Sequence, residues 1–119
     1  MNLAFNETQL LERVDNDLSF LAETVQMLET DGRALMTQVN AALSVGDAAA
    51  VGRAAHTLKG MISNFCAPTV QKLALEVETA GKAGDHAAGK SAANRLELGL
   101  EALINDLGVF IKARSGCAS

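Results

Sequence analysis

The chain has no tryptophan and no tyrosine, only four phenylalanines, and a single proline in 119 residues. Strands draw on aromatic and β-branched residues. Their scarcity beside abundant Ala, Leu, Glu and Gln favours helices. No stretch alternates convincingly with period two, so no sheet is expected. No apolar run reaches the roughly 18 residues that a membrane-spanning helix needs, so no membrane span is expected. No charged segment leads into an apolar one at the start, so no secretory leader is expected. Positive charge is not in excess either. Ten Lys and Arg against fourteen Asp and Glu leave a net charge of −4, which lacks the basic footprint of a nucleic-acid binder. The two cysteines, Cys66 and Cys117, stand at no metal-motif spacing and are expected to remain reduced, as in the cytoplasm. Cys66 is expected to be a small buried hydrophobe, and Cys117 to lie in a frayed tail over 115–119.

What is present describes one globular domain spanning 1–119. Hydrophobic residues make up 49% and charged residues 20%, enough for a single core and too apolar for a disordered chain. Asn6 is placed to cap a short first helix with Leu10, Leu11 and Val14 on its apolar side, behind a lead-in containing Leu3 and Phe5. Asp15-Asn16-Asp17 ends that helix and caps the next. From Leu18 to Val45 the residues Leu21, Val25, Leu28, Gly32, Leu35, Val39 and Leu43 step by three and four, a helical stripe. Gly32 on that stripe is either a point of close helix approach or a tolerated weak point. Phe20, Met27 and Met36 lie off the stripe, and core packing is expected for most of them, an exposed docking surface being the other option.

Gly46-Asp47 supplies a left-handed stop and a new cap. A helix from Ala48 to Phe65 follows, and Pro68 suits the first turn of the next. Val70, Leu73, Val77 and Ala80 form its apolar side, with Glu76 and Glu78 expected on a solvated face. Gly84-Asp85 repeats the turn chemistry. The last helix is expected from His86 to Ala113, with Leu96, Leu100, Leu103, Leu107 and Phe110 inward. Four long amphipathic helices with short connections predict an all-α fold, an antiparallel up-and-down four-helix bundle with a short additional N-terminal helix.

One helix carries a distinctive pattern. Val51, Ala55, Leu58, Ile62 and Phe65 form its buried stripe, and His56 lies off it on the solvent side. Gly52 and Gly60 flank His56 one turn to either side, Lys59 lies three residues on, and Ser63 seven. A glycine in an exposed helix interior costs about 1 kcal/mol relative to alanine. Two of them bracketing one histidine suggest a bare strip that a partner can approach. An accessible imidazole beside a cation suits a nucleophile that receives an anionic group such as phosphoryl. The residues alone leave the ordinary alternative open, a solvated surface histidine.

Ala54-Ala55-His56-Thr57-Leu58-Lys59-Gly60, followed by Ser63-Asn64-Phe65, resembles the signature of histidine-containing phosphotransfer (HPt) domains. Asn64-Phe65-Cys66-Ala67 continues it, with Cys66 where a glycine is common. The resemblance covers nearly the whole chain, including the paired Gly-Asp turns. It implies a short first helix closing one end of the bundle and phosphorylation of His56 on Nε2, reversibly, by a phospho-aspartate of a response-regulator receiver domain. It implies no cofactor of its own, Mg2+ on the partner receiver, and no independent kinase activity. Lys59 would stabilise the phosphoryl group and Gly60 would give steric access. Gly52, Arg53, Ser63 and Asn64 are looser candidates for support, with helix-end capping or a solvated face as their other explanation. His86, beside a helix start and without a following lysine, is expected to be exposed and inert. The two histidines, with no carboxylate or Cys at ligand spacing to His56, predict no metal site. The lead-in from Phe5 to Asp17 is similar to HPt segments that end hybrid sensor kinases, so a covalently linked kinase is a further expectation beside a free-standing monomer.

Two other functions compete. One is a catalytically silent helical-bundle interaction domain, which the intact His56, Lys59 and Gly60 argue against. The other is the dimerisation-and-phosphoacceptor domain of a histidine kinase, where an acidic residue follows the His and a Pro comes soon after. Here Thr57 follows, and Pro68 is twelve positions away.

Overall fold

Helix ends in this chain are set by side chains that satisfy free backbone groups. A computed structural model describes residues 4–116. Helix α1 (Glu7–Arg13) begins at Asn6, whose side-chain oxygen accepts from the Gln9 N–H at 3.0 Å. It buries Leu10 and Val14. Asp15 and Asn16 then take left-handed conformations, φ +52° and +57°, which Asp and Asn tolerate better than most residues. Asp17 caps the next helix by accepting from the Phe20 N–H at 3.0 Å.

The expected helix from Leu18 to Val45 is one rod with a wide turn in it. It comprises α2 (Leu18–Met27), a π turn (Leu28–Gly32) and α3 (Arg33–Val45). The wide turn moves the stripe: Leu35, expected on it, is only half-buried, while Met36, off the stripe, packs in the core as expected for most of the off-stripe residues. A Cβ on Gly32 would stand 3.1 Å from Leu28 Cδ1 and 3.7 Å from Leu58 Cδ1, so this glycine lets α4 come close. Phe20 and Met27 do not enter the core. They are 50% and 58% exposed, because no element among the described residues covers that side of α2.

Gly46, at φ +73°, ends α3, and Asp47 caps α4 (Ala48–Ile62) through the Ala50 N–H. The chain then tightens into a 3-10 turn (Ser63–Phe65) and stops at Cys66, φ +53° and ψ +46°. The α-helix therefore ends three residues short of the expected Phe65. Cys66 is half-buried against the core rather than fully buried. Its carbonyl accepts from the Asn6 N–H at 2.9 Å, which ties the start of the chain to this turn. Pro68 opens α5 (Pro68–Ala83), where Val70, Val77 and Ala80 are buried, Ala74 is buried, and Leu73 only partly. Gly84, at φ +69°, and Asp85, capping Ala88, lead into α6 (His86–Gly116). Ser115 and Gly116, expected to fray, continue this helix. Cys117 to Ser119 lie outside the described residues, as does Leu3.

No strand occurs among the described residues. The α2–α3 rod packs on α4, α4 on α5, α5 on α6, and α6 back on the rod, closing a helical bundle around one core. Leu21, Leu28, Leu58, Ile62, Leu96, Leu100, Leu103 and Leu107 fill it. At 1.5 Å per residue the 31 residues of α6 run about 46 Å, close to the 50 Å long axis of the molecule. Phe5 meets Phe110 edge to face at 5.3 Å and closes one end of the core.

Candidate functional site

The site is organised by two glycines at the crossing of α4 and α5. A Cβ on Gly81 would stand 2.9 Å from the backbone N of Gly52, 3.1 Å from Val51 Cγ1 and 3.2 Å from the Ala48 carbonyl oxygen. Only glycine permits this approach. Further along, His56 on α4 meets Glu78 on α5. Rising numbers on one helix match falling numbers on the other, so α4 and α5 are antiparallel.

This crossing overturns two sequence expectations. Gly52 is buried at the helix contact rather than part of an open strip. Glu78 is not on a solvated face. Its side chain is 4% exposed, and it is the buried charged residue of the core surface among the described residues. Burial of a carboxylate is costly unless charge and hydrogen bonds compensate it. Here Lys59 Nζ donates to Oε1 at 2.7 Å, while Lys82 Nζ, at 3.1 Å, and His56 Nδ1, at 2.9 Å, both face Oε2. The hydrogen bond from Lys59 does most to hold the Glu78 carboxyl down, to about 2, with Lys82 and His56 adding to it against the opposing effect of burial.

An ionised carboxylate can only accept. The Nδ1 of His56 must therefore carry the proton it shares with Glu78, and in the neutral ring the free lone pair is on Nε2. The ring is 68% exposed, so a fixed carboxylate orients an imidazole whose other nitrogen is open to a partner. With Lys59 and Lys82 ammonium groups on the same carboxylate, the cluster is unsuited to a metal cation.

The remaining candidates separate clearly. Lys59 is only 25% exposed and is engaged with Glu78. Gly60 faces open space, with nothing within 4 Å of where its Cβ would stand. Arg53 is exposed and lies, with His56 and Lys82, along an open groove of about 860 Å3 between α4 and α5. The Ser63 hydroxyl donates to the Gly60 carbonyl at 2.6 Å, which is local helix-end capping. Asn64 is exposed. His86 is half-buried rather than fully exposed. Its Nε2 lies 3.8 Å from where a Gly46 Cβ would stand, over a different turn.

Sequence reasoning missed Glu78, Gly81 and Lys82. The available signal was Gly81 itself, a helix-interior glycine three residues after one glutamate and directly before a lysine. Its meaning depends on the register with Gly52, which only the pairing of α4 with α5 sets.

The family model of the Hpt domain matches residues 23–106, from within α2 to well into α6, with His56 and Glu78 both inside the match. No curated protein and no solved structure matches the chain.

Proposed function

The chain belongs to the Hpt domain family, whose members serve phosphotransfer in two-component signalling, and on that basis we propose that His56 is its phospho-acceptor. The Nε2 lone pair attacks the phosphorus of a receiver-domain phospho-aspartate. The N–P bond forms as the P–O bond to the aspartate breaks, and the carboxylate leaves. Nδ1 keeps its proton, so the ring becomes cationic with Glu78 as its counter-ion. Reversal onto a second receiver passes the group on. The receiver supplies Mg2+, and this chain supplies nucleophile and docking surface, acting in the cytoplasm as a monomer or as part of a sensor kinase.

The observation that carries this reading is the exposed Nε2 of a ring whose Nδ1 is held by a buried carboxylate. Lys59 and Lys82 keep that carboxylate ionised, and Gly60 leaves room beside the ring for the phosphoryl group and the receiver loops. The test is phosphotransfer from a panel of receiver domains charged with a small-molecule phosphodonor. Intact mass at alkaline pH is expected to show one acid-labile phosphate on the wild type and none on His56→Gln. A folded wild type left unmodified by every charged receiver would favour a silent interaction domain instead.

A further inference from the structure

Three charges meet at the Glu78 carboxylate, and they are not equivalent. Lys59 is close, at 2.7 Å, and mostly covered, at 25% exposure. Lys82 is further, at 3.1 Å, and 72% exposed. One carboxylate needs one cation for balance, so the cluster has one cation in surplus. Of the two, Lys82 is the one free to move. It shares Oε2 with His56 Nδ1, and the sum of the two distances, about 6 Å, is the furthest its ammonium can lie from that ring nitrogen. Its stem is laid along α4 by the glycine crossing. A Cβ on Gly52 would stand 3.9 Å from Lys82 Cγ. Lys82 and His56 line the same open groove between α4 and α5.

A phosphoryl group on Nε2 would bring nearly two negative charges, by analogy with other protein phosphates. We propose that Lys82, rather than Lys59, is the cation that contacts the phosphoryl group on His56, leaving Glu78 as it does so. Lys59 stays on Glu78 and keeps that carboxylate ionised beneath the cationic phosphohistidine ring. The inference rests on His56 being the phospho-acceptor, and it divides between two lysines the role that the sequence alone assigned to Lys59.

A test independent of any receiver uses potassium phosphoramidate as phosphodonor. The donor's P–N bond breaks, the Nε2–P bond forms, and ammonia leaves. Initial rates are followed by intact mass and 31P NMR on the wild type, Lys82→Ala, Lys82→Arg, Lys59→Ala and His56→Gln. A charge-assisted hydrogen bond is worth enough for about a tenfold change in rate, and Lys82→Ala is expected to fall by about that factor. Lys82→Arg, which keeps the charge, is expected to recover most of the rate. Thermal unfolding of Lys82→Ala should stay close to the wild type, since Lys59 still pairs with the buried Glu78 carboxylate. A loss below threefold for Lys82→Ala, a larger loss for Lys59→Ala while it remains folded, or no recovery with arginine would overturn the role of Lys82 and leave His56 as acceptor. A folded wild type that takes no phosphate at all, like His56→Gln, would overturn both.

Discussion

Cys66 holds a left-handed conformation, which costs an ordinary L-residue about 1–2 kcal/mol and glycine almost nothing. The backbone there has little freedom to relax. Its carbonyl accepts from the Asn6 N–H, and Pro68 begins the next helix two residues later. This is the physical reason a glycine is common after Asn-Phe in the resembling pattern. Cys66→Gly is expected to raise stability by about 0.5–1 kcal/mol, after discounting the entropy that glycine adds to the unfolded chain. A urea unfolding midpoint that is lower than wild type would contradict this. At the same scale the caps were readable: Asn6, Asp17, Asp47 and Asp85 all accept from the N–H three residues on. A cap needs only its own next turn, so sequence is sufficient. Glu78 was not readable, because apart from Lys82 on its own helix its surroundings come from His56, Lys59 and the α4–α5 crossing.

Between elements, glycines of similar appearance do opposite things. Gly60 faces open space, whereas Gly81 abuts the backbone of α4. Gly60→Ala should therefore stabilise the folded chain by up to about 1 kcal/mol, the helix-propensity gain, while slowing transfer from a receiver that must pack against that strip. Gly81→Ala should destabilise by about 1–3 kcal/mol, the usual range for overpacking. It should also weaken the Glu78 contact to His56 by driving α5 away from α4, visible as a shifted His56 ring resonance. A Gly81→Ala protein as stable as wild type would remove the crossing from the account of the site. The long rod shows the other limit of element-level reading. Its stripe was legible from Leu21 to Gly32 and again at Val39 and Leu43, but the π turn exchanged Leu35 for Met36. Phe20 and Met27 were expected inside because apolar residues usually find a neighbour, and among the described residues no helix lies over them.

For the molecule as a whole, the cluster on Glu78 couples the site to folding. A carboxyl whose folded value is depressed holds fewer protons folded than unfolded, so it stabilises the fold above its unfolded value, near 4.5, and the benefit disappears as pH falls through about 2. At 1.36 kcal/mol per pH unit, the full contribution is at most about 3 kcal/mol. Glu101 is also lowered, by its paired hydrogen bonds from Arg33, but it is half-exposed and solvent screens much of that effect. Glu78→Gln separates the two. It keeps an oxygen that can accept from one donor but removes the charge that balances Lys59 and Lys82. The stability difference between wild type and Glu78→Gln, measured by urea unfolding at each pH, is expected to be flat from pH 7 to about 5 and to shrink steadily toward pH 2. There the protonated glutamate and the glutamine are nearly equivalent, and Glu101 is common to both proteins. A difference that does not change with pH would mean that Glu78 acts by shape alone. The ionised carboxylate that fixes the His56 tautomer would then have to be abandoned as the organising feature of the site.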